Sequence, residues 1–291
     1  MDALAKGTDA SSGPCAGSDV RRAFALQAVP GVETIAFEGV AQPFPAHFHE
    51  FWTIGAIARG RRRATCGGAT LGIGPGDAVL FAPGEAHGCL PVDGEALSYR
   101  SVAVPDAELA RALGREAGSL RPIRFAVHDA ALVRAVDVVC ALAADPDADA
   151  LAQEEALAVL AARVAARCEN PRACGKAAAN AAPGGVERAR SLLEERCVEG
   201  VALSELAEAA GLSRCHLVRA FSARTGLTPH RYLQALRANR ARRLIADGLA
   251  PSQAAAQSGF SDQAHMTRVF KALFGLTPAR YRASVERGRR A

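Results

Sequence analysis

The sequence predicts a multidomain α and β chain: an N-terminal β-barrel with a helical hairpin behind it, then an all-α module holding one helix-turn-helix unit in tandem. Three observations predict it. Short alternating runs broken by glycine and proline fill residues 32–104. Apolar residues at helical spacing replace them from Asp106 onward. Residues 211–232 are then repeated, with small changes, as residues 259–281. At 291 residues the chain is long enough for two separately cored domains.

The first residues, "MDALAKGTDASSGPCAGS", have no basic start followed by an apolar run. Residues 1–20 are expected to form a disordered leader and not an export signal. The barrel is expected over 21–105, where "ETIAF", "FWTIGAIA" and "DAVLFAP" alternate and "GGATLGIGPGD" and "PVDGE" supply the turns. Residues 106–168 carry "DAELARALGREAG", "HDAALVRAVDVVCALAAD" and "DALAQEEALAVLAARVAARC". The last two, parted by "DPDAD", suit an antiparallel hairpin. Its apolar face fits either a second copy in a homodimer or the chain's own β domain. Residues 169–185, "ENPRACGKAAANAAPGG", lack apolar periodicity and end in Pro-Gly-Gly, which marks a linker. Residues 186–291 then form the helical module.

Charge divides along the same boundary. Residues 184–291 hold 18 Lys and Arg against 9 Asp and Glu, while the remainder holds 17 against 21. A basic third joined to a mildly acidic remainder suggests a polyanion reader coupled to a domain for another ligand. No apolar run is long enough to cross a bilayer, so a cytoplasmic protein without membrane contact is expected. Eight cysteines at irregular spacing, with no C-x-x-C pair, suit reduced thiols.

In each repeat a helix ends at a glycine, Gly211 or Gly259. An apolar residue and a serine follow, Ser213 or Ser261, to cap the next helix. On that helix Leu217 and Phe221, or Met266 and Phe270, share one face and belong in a core. The second copy has one extra residue before this pair. Both copies close on Gly-Leu-Thr-Pro, with Thr228 or Thr277 as the cap of a third helix and proline in its first turn. The outward positions are Arg214, Cys215, Val218 and Arg219 in one copy and Gln263, Ala264, Thr267 and Arg268 in the other. Arg reads guanine and Gln reads adenine through paired contacts in the major groove. A joining helix of about 18 residues spans ~27 Å at 1.5 Å per residue, near the ~34 Å between successive major-groove faces. Arg237, Arg240, Arg242 and Arg243 on that helix are expected to be exposed and available to phosphates.

With these motifs the chain resembles the AraC/XylS family of bacterial transcription regulators over residues 186–291, most specifically in "AAQSGFSDQAHMTRVFKALFGLTPARYR". The resemblance implies base reading by Cys215, Val218 and Arg219 and by Gln263, Ala264, Thr267 and Arg268. It also implies double-stranded promoter DNA, a small-molecule effector, a homodimer and RNA polymerase as partners, and no enzyme activity. Cys215 and Val218 depart from the usual polar or aromatic readers, so the first copy either reads thymine methyls or contributes less.

"HFHEFWTIGAIARGRRRATCGGATLGIGPGDAVLFAPGEAHG" resembles the cupin-type sensor of that family, with His-x-His, Gly-Asp and Pro-Gly-x-x-His. That resemblance implies an effector pocket near His47, His49 and His87, with Trp52 either pocket wall or core. The same histidines are candidates for a divalent metal. Metal-binding cupins carry a glutamate four or five residues after the second histidine, where this chain has Thr53 and Ile54. A small organic effector without metal or cofactor is therefore the expectation. The rival readings are a cupin metalloprotein or metalloenzyme, or a metal or redox sensor, carrying a DNA-binding domain. Arg61, Arg62 and Arg63 read as a solvated hairpin tip, and Cys66 and Cys89 as inert thiols.

Overall fold

A computed structural model describes residues 19–169 and 184–290, with side chains to residue 286. Most of the expected leader and linker lies outside the described residues.

The N-terminal half contains β1 (Val20–Ala25), β2 (Glu33–Val40), β3 (Phe44–His47), β4 (Trp52–Arg59), β5 (Arg62–Cys66), β6 (Ala69–Ile73), β7 (Asp77–Phe81), β8 (His87–Pro91) and β9 (Leu97–Val104). Helix α1 (Asp106–Ala112), β10 (Arg121–Pro122), β11 (Ala126–His128), α2 (Ala130–Ala144), α3 (Ala150–Ala165) and β12 (Cys168–Glu169) follow. Six strands form one sheet in the order β1-β2-β9-β4-β7-β11, and four form another in the order β3-β8-β5-β6. Strands β10 and β12 make a separate small pair.

Strand alternation divides the apolar residues between two cores. On β4, Trp52, Ile54 and Ala56 face the helices, where they pack with Leu132 and Val136 of α2 and Leu157 and Leu160 of α3. Ile57 joins Phe37, Phe44, Val79 and Phe81 in the barrel interior. Gly55 permits a close crossing: a Cβ there would lie 2.1 Å from the Tyr99 hydroxyl. The hairpin therefore packs on its own sheet, and Asp129 caps α2, its carboxylate accepting from Ala131 N at 2.9 Å and Leu132 N at 3.1 Å. Val138, Leu151 and Val159 remain exposed on its outer side.

Arg62 overturns one expectation. It is fully buried, and its Nη2 donates to the Val40 carbonyl at 2.6 Å. The reason is register: β5 starts at Arg62, and its inward residues alternate with the exposed Arg63. Arg61 remains at the surface, paired with Glu95 at 2.8 Å.

The C-terminal half is helical: α4 (Gly185–Glu195), α5 (Leu203–Ala210), α6 (Arg214–Thr225), α7 (Pro229–Ala246), α8 (Pro251–Gln257), α9 (Gln263–Phe274) and α10 (Pro278–Arg290). Helix pairs α5–α6 and α8–α9 are the two helix-turn-helix units. Gly211 turns the first with φ +68° and Gly259 the second with φ +79°, a left-handed conformation that L side chains rarely adopt. Ser213 caps α6, accepting from His216 N at 3.3 Å. In the second unit the cap is Asp262 and not Ser261, accepting from His265 N at 2.7 Å. The extra residue of the second copy thus lies in the turn itself, which moves the cap one position along.

Candidate DNA-reading face and ligand cavity

Helices α6 and α9 each bury one face and offer the other. Leu217, Phe221, Met266 and Phe270 are completely buried. Arg214, Cys215, Arg219, Gln263, Ala264 and Arg268 are exposed, and Val218 and Thr267 half-buried. The two faces are joined by α7, whose 18 residues match the expected strut.

Arg242 on that strut departs from the expectation, whereas Arg243 is exposed and Arg237 and Arg240 are half-buried. Arg242 is buried against the barrel, its Nη2 2.7 Å from Glu33 Oε2. The guanidinium lies 4.1 Å from the centre of the Phe51 ring. Arg243 pairs with Glu50, Arg237 donates to the Cys197 carbonyl at 2.7 Å, and Arg240 to the Gln257 carbonyl at 2.9 Å. A helix face that is outward from its own bundle can still face a second domain: the barrel supplies the partners of Arg242 and Arg243, while those of Arg237 and Arg240 lie within the helical half. Asn239 also reaches the barrel, donating from Nδ2 to the Phe48 carbonyl at 3.1 Å.

The barrel interior opens into a cavity of about 100 Å³. Its walls are mainly apolar, with Phe37, Phe44, Ile57 and Phe81 from the barrel and Leu273 and Phe274 from the end of α9. His47, His49 and His87 line it together, as expected. Trp52 does not. It faces the helix-side core, where its indole N–H donates to Asp106 Oδ1 at 2.8 Å. It is adjacent in sequence to the cavity-lining Thr53, and the pleat sends neighbours to opposite faces.

Burial keeps the histidines neutral. It pushes His47 down to about 4 and His87 down to about 3, and holds His49 well below its ordinary value. Two polar atoms on the cavity wall, His49 Nδ1 and Thr53 Oγ1, are buried without a protein partner. Burial also pushes the Cys89 thiol up to about 11 and raises Cys66 further, so both stay protonated.

Residues 47–51 connect cavity and reader. His47 and His49 face the cavity, while Phe48 enters the core of the first helical unit beside Leu217, Phe221 and Tyr232. Phe51 joins the core of the second unit. The ring of His49 stacks on Phe51 at 4.8 Å and on Phe274 at 5.2 Å. Gln42 caps the same end of α9, donating to the Lys271 carbonyl at 3.0 Å, and Arg21 donates to the carbonyl of Gly275.

Residues 29–160 match the AraC-like ligand binding domain, and residues 206–284 match a helix-turn-helix domain. An HTH-type transcriptional regulator of Bacillus subtilis (strain 168), YbfI, is 33% identical over 236 residues, covering 80% of this chain and 85% of its own. The chain belongs to the AraC/XylS family of transcriptional regulators. It is a DNA-binding regulator with an N-terminal ligand-binding domain. Among solved structures, ToxT from Vibrio cholerae O395 is 11% identical, covering 93% of this regulator and 98% of its own chain, with a TM-score of 0.49. The DNA-binding domain of AdpA in complex with a target DNA is 28% identical, covering 37% of this regulator and 96% of its own chain, with a TM-score of 0.34. No helix among the described residues of the regulator is long and apolar enough to cross a membrane.

Several site residues escaped the sequence reading. Phe37 and Tyr99 lie on alternating strands, so their inward direction was readable once the register was known. Phe274 belongs to the other half of the chain, and nothing local marks it as a cavity wall.

Proposed function

We propose that the chain is a cytoplasmic, homodimeric regulator, without enzyme activity, whose promoter binding is controlled by a small organic molecule held in the barrel. Its sensor comprises residues 21–168, with the barrel over 21–105 and the hairpin over 106–168, and its reader residues 186–291. The reading residues are Arg214, Cys215, Val218 and Arg219 on α6 and Gln263, Ala264, Thr267 and Arg268 on α9. The outer side of the hairpin, with exposed Val138, Leu151 and Val159, is the contact with a second copy. RNA polymerase is the further protein partner at the promoter.

One observation carries the coupling: Phe274 belongs both to the reading helix α9 and to the wall of the cavity. A molecule entering the barrel therefore meets the reader directly. The cavity suits a compact, apolar molecule with one polar group. For scale, an engineered apolar cavity of ~150 Å³ binds benzene. Its polar group would meet the unpartnered His49 Nδ1 and Thr53 Oγ1. No carboxylate lines the cavity, so the reading does not include general acid or base chemistry by an acidic side chain.

Footprinting of the full chain on its own promoter region tests this reading. The expected result is protection of two adjacent major-groove faces on one side of the duplex. Equal affinity for promoter and scrambled DNA at the same salt concentration would sink it.

A further inference from the structure

Three imidazoles meet at one end of the barrel cavity. His47 ends β3, His87 begins β8, and the two are partners across the antiparallel ladder. His49 follows two residues after His47 and so lies on the same side of the extended chain. One potential ligand atom from each lies within 4.8 Å of the others. His47 Nε2 is 3.2 Å from His49 Nε2. Nitrogens held ~2.0–2.1 Å from a tetrahedral zinc are ~3.3 Å apart, so small ring movements close the trio on an ion.

Hydrogen bonds select the ligating tautomer. His47 Nδ1 lies 2.6 Å from the Pro45 carbonyl, and His87 Nδ1 lies 2.8 Å from the Glu85 carbonyl. A carbonyl only accepts, so each Nδ1 carries the proton and each Nε2 presents its lone pair. Donation of the far N–H to a backbone carbonyl is how proteins orient metal-ligating histidines. Both carbonyls belong to the residue two before the histidine, which makes each anchor local. His49 has no anchor, and its Nδ1 is buried without a partner. Its ring is stacked on Phe51 and Phe274, and that packing directs Nε2 at His47.

We propose that His47, His49 and His87 bind one divalent transition-metal ion, leaving a further coordination position open to the apolar cavity. The donors are all imidazole, which suits zinc, cobalt, nickel or copper and not magnesium or calcium. Glu50 is committed to Arg243. Thr53 stands on the cavity wall where a glutamate would be a further ligand, so the lack of that carboxylate selects among ions without removing the site. The rival account is aromatic packing alone, since His87 stacks on Phe81 at 4.0 Å and His49 on Phe51.

The full chain, freed of any tag, stripped with chelator and dialysed, is titrated with Co²⁺ alone. The expected result is visible ligand-field absorption of four-coordinate cobalt, saturating at one ion per chain and lost on adding Zn²⁺. His47→Ala and His87→Ala each weaken Co²⁺ binding by at least ~100-fold, beyond the ~10–100-fold typical of a mere outer partner. If these variants fail to fold, imidazole ¹⁵N spectra of the unmodified chain decide. Zn²⁺ then shifts three of the seven histidines. Absent bands at millimolar Co²⁺, bands that persist in both folded variants, or shifts confined to His128, His216, His230 and His265 overturn the proposal. Uptake is read without DNA, so its failure leaves the regulator reading intact, and failed DNA binding leaves uptake intact.

Discussion

Glu33 on the barrel and Arg242 on the helix between the two reading units form an ion pair across the two halves of the chain, 2.7 Å from Nη2 to Oε2. The other carboxylate oxygen of Glu33 accepts from the Tyr281 hydroxyl at 2.6 Å. Both charged side chains are about nine-tenths buried, at 12% and 10% exposure, so each depends on the other. Arg242 gains further from the faces of Phe51 and Tyr281.

Breaking this pair from one side is expected to be costly. Arg242→Ala leaves Glu33 as an uncompensated buried carboxylate, a change worth ~3–5 kcal/mol in comparable buried pairs. Denaturant unfolding should therefore show either a large loss of stability or separate transitions for the two halves. The double change Glu33→Leu with Arg242→Met restores much of the loss, because apolar replacement of a buried pair is often neutral. An Arg242→Ala loss below ~0.5 kcal/mol would mark the pair as no more than a surface contact.

Phe274 is the second connection. Phe274→Leu keeps an apolar side chain in the core of the second unit but removes the ring stacked on His49. The expected outcome is promoter binding that persists while its response to the cavity ligand shrinks. Gel shifts with and without ligand measure both quantities. An unchanged response would move the coupling to Phe48 and the first unit, the other point where residues 47–51 enter the helices.

Space in the barrel gives a separate test. A Cβ at residue 55 meets the ring and hydroxyl of Tyr99 at 2.1–2.4 Å, so Gly55→Ala must push Tyr99 into the cavity it lines. Overpacking of this kind costs ~1–3 kcal/mol. The variant is expected to fold with lowered stability and to lose the response to ligand while retaining promoter binding.

The tandem module was legible because its signals are local. Glycine at a left-handed turn, a cap, and two apolar residues four apart lie within one short segment. The cap at Asp262 was missed because one inserted residue shifts which side chain reaches the helix start. Arg242 was misread because periodicity reports which side of a helix its own bundle leaves uncovered, and cannot report that a distant Glu33 covers it. The histidines were legible as residue types. Their convergence depends on the β3–β8 register, which pairs His47 with His87, whereas the i, i+2 spacing of His47 and His49 was readable locally. Trp52 was ambiguous until the register of β4 assigned its face.

Thiol chemistry separates the reading helix from the barrel. Cys215 is exposed at the start of α6, whereas Cys66 and Cys89 are held protonated by burial. A brief treatment with iodoacetamide is expected to alkylate Cys215 before the barrel cysteines and to weaken DNA binding by steric block. Cys215→Ser should bind DNA and resist the treatment. Peptide mass mapping that finds Cys66 or Cys89 modified first, with binding lost in Cys215→Ser as well, would favour a redox role for the barrel thiols.

The two reading helices are expected to contribute unequally. On α9, Gln263 and Arg268 are exposed and carry groups that pair with base edges; on α6, Cys215 and Val218 can offer only apolar contact, chiefly to thymine methyls. Arg268→Ala should therefore cost ~1–3 kcal/mol of discrimination at one base position. Cys215→Ala should leave the preferred sequence nearly unchanged. Arg219→Ala distinguishes two roles for the first helix. If Arg219 reads a base, specificity relaxes at one position in the half-site under α6. If it holds phosphate, binding weakens on all sequences and the salt dependence falls by about one counterion. Competition binding with single-base variants of the site, repeated at two salt concentrations, measures both. Loss of specificity from the α6 variants alone, with Arg268→Ala silent, would reverse the assignment and make the first unit the principal reader.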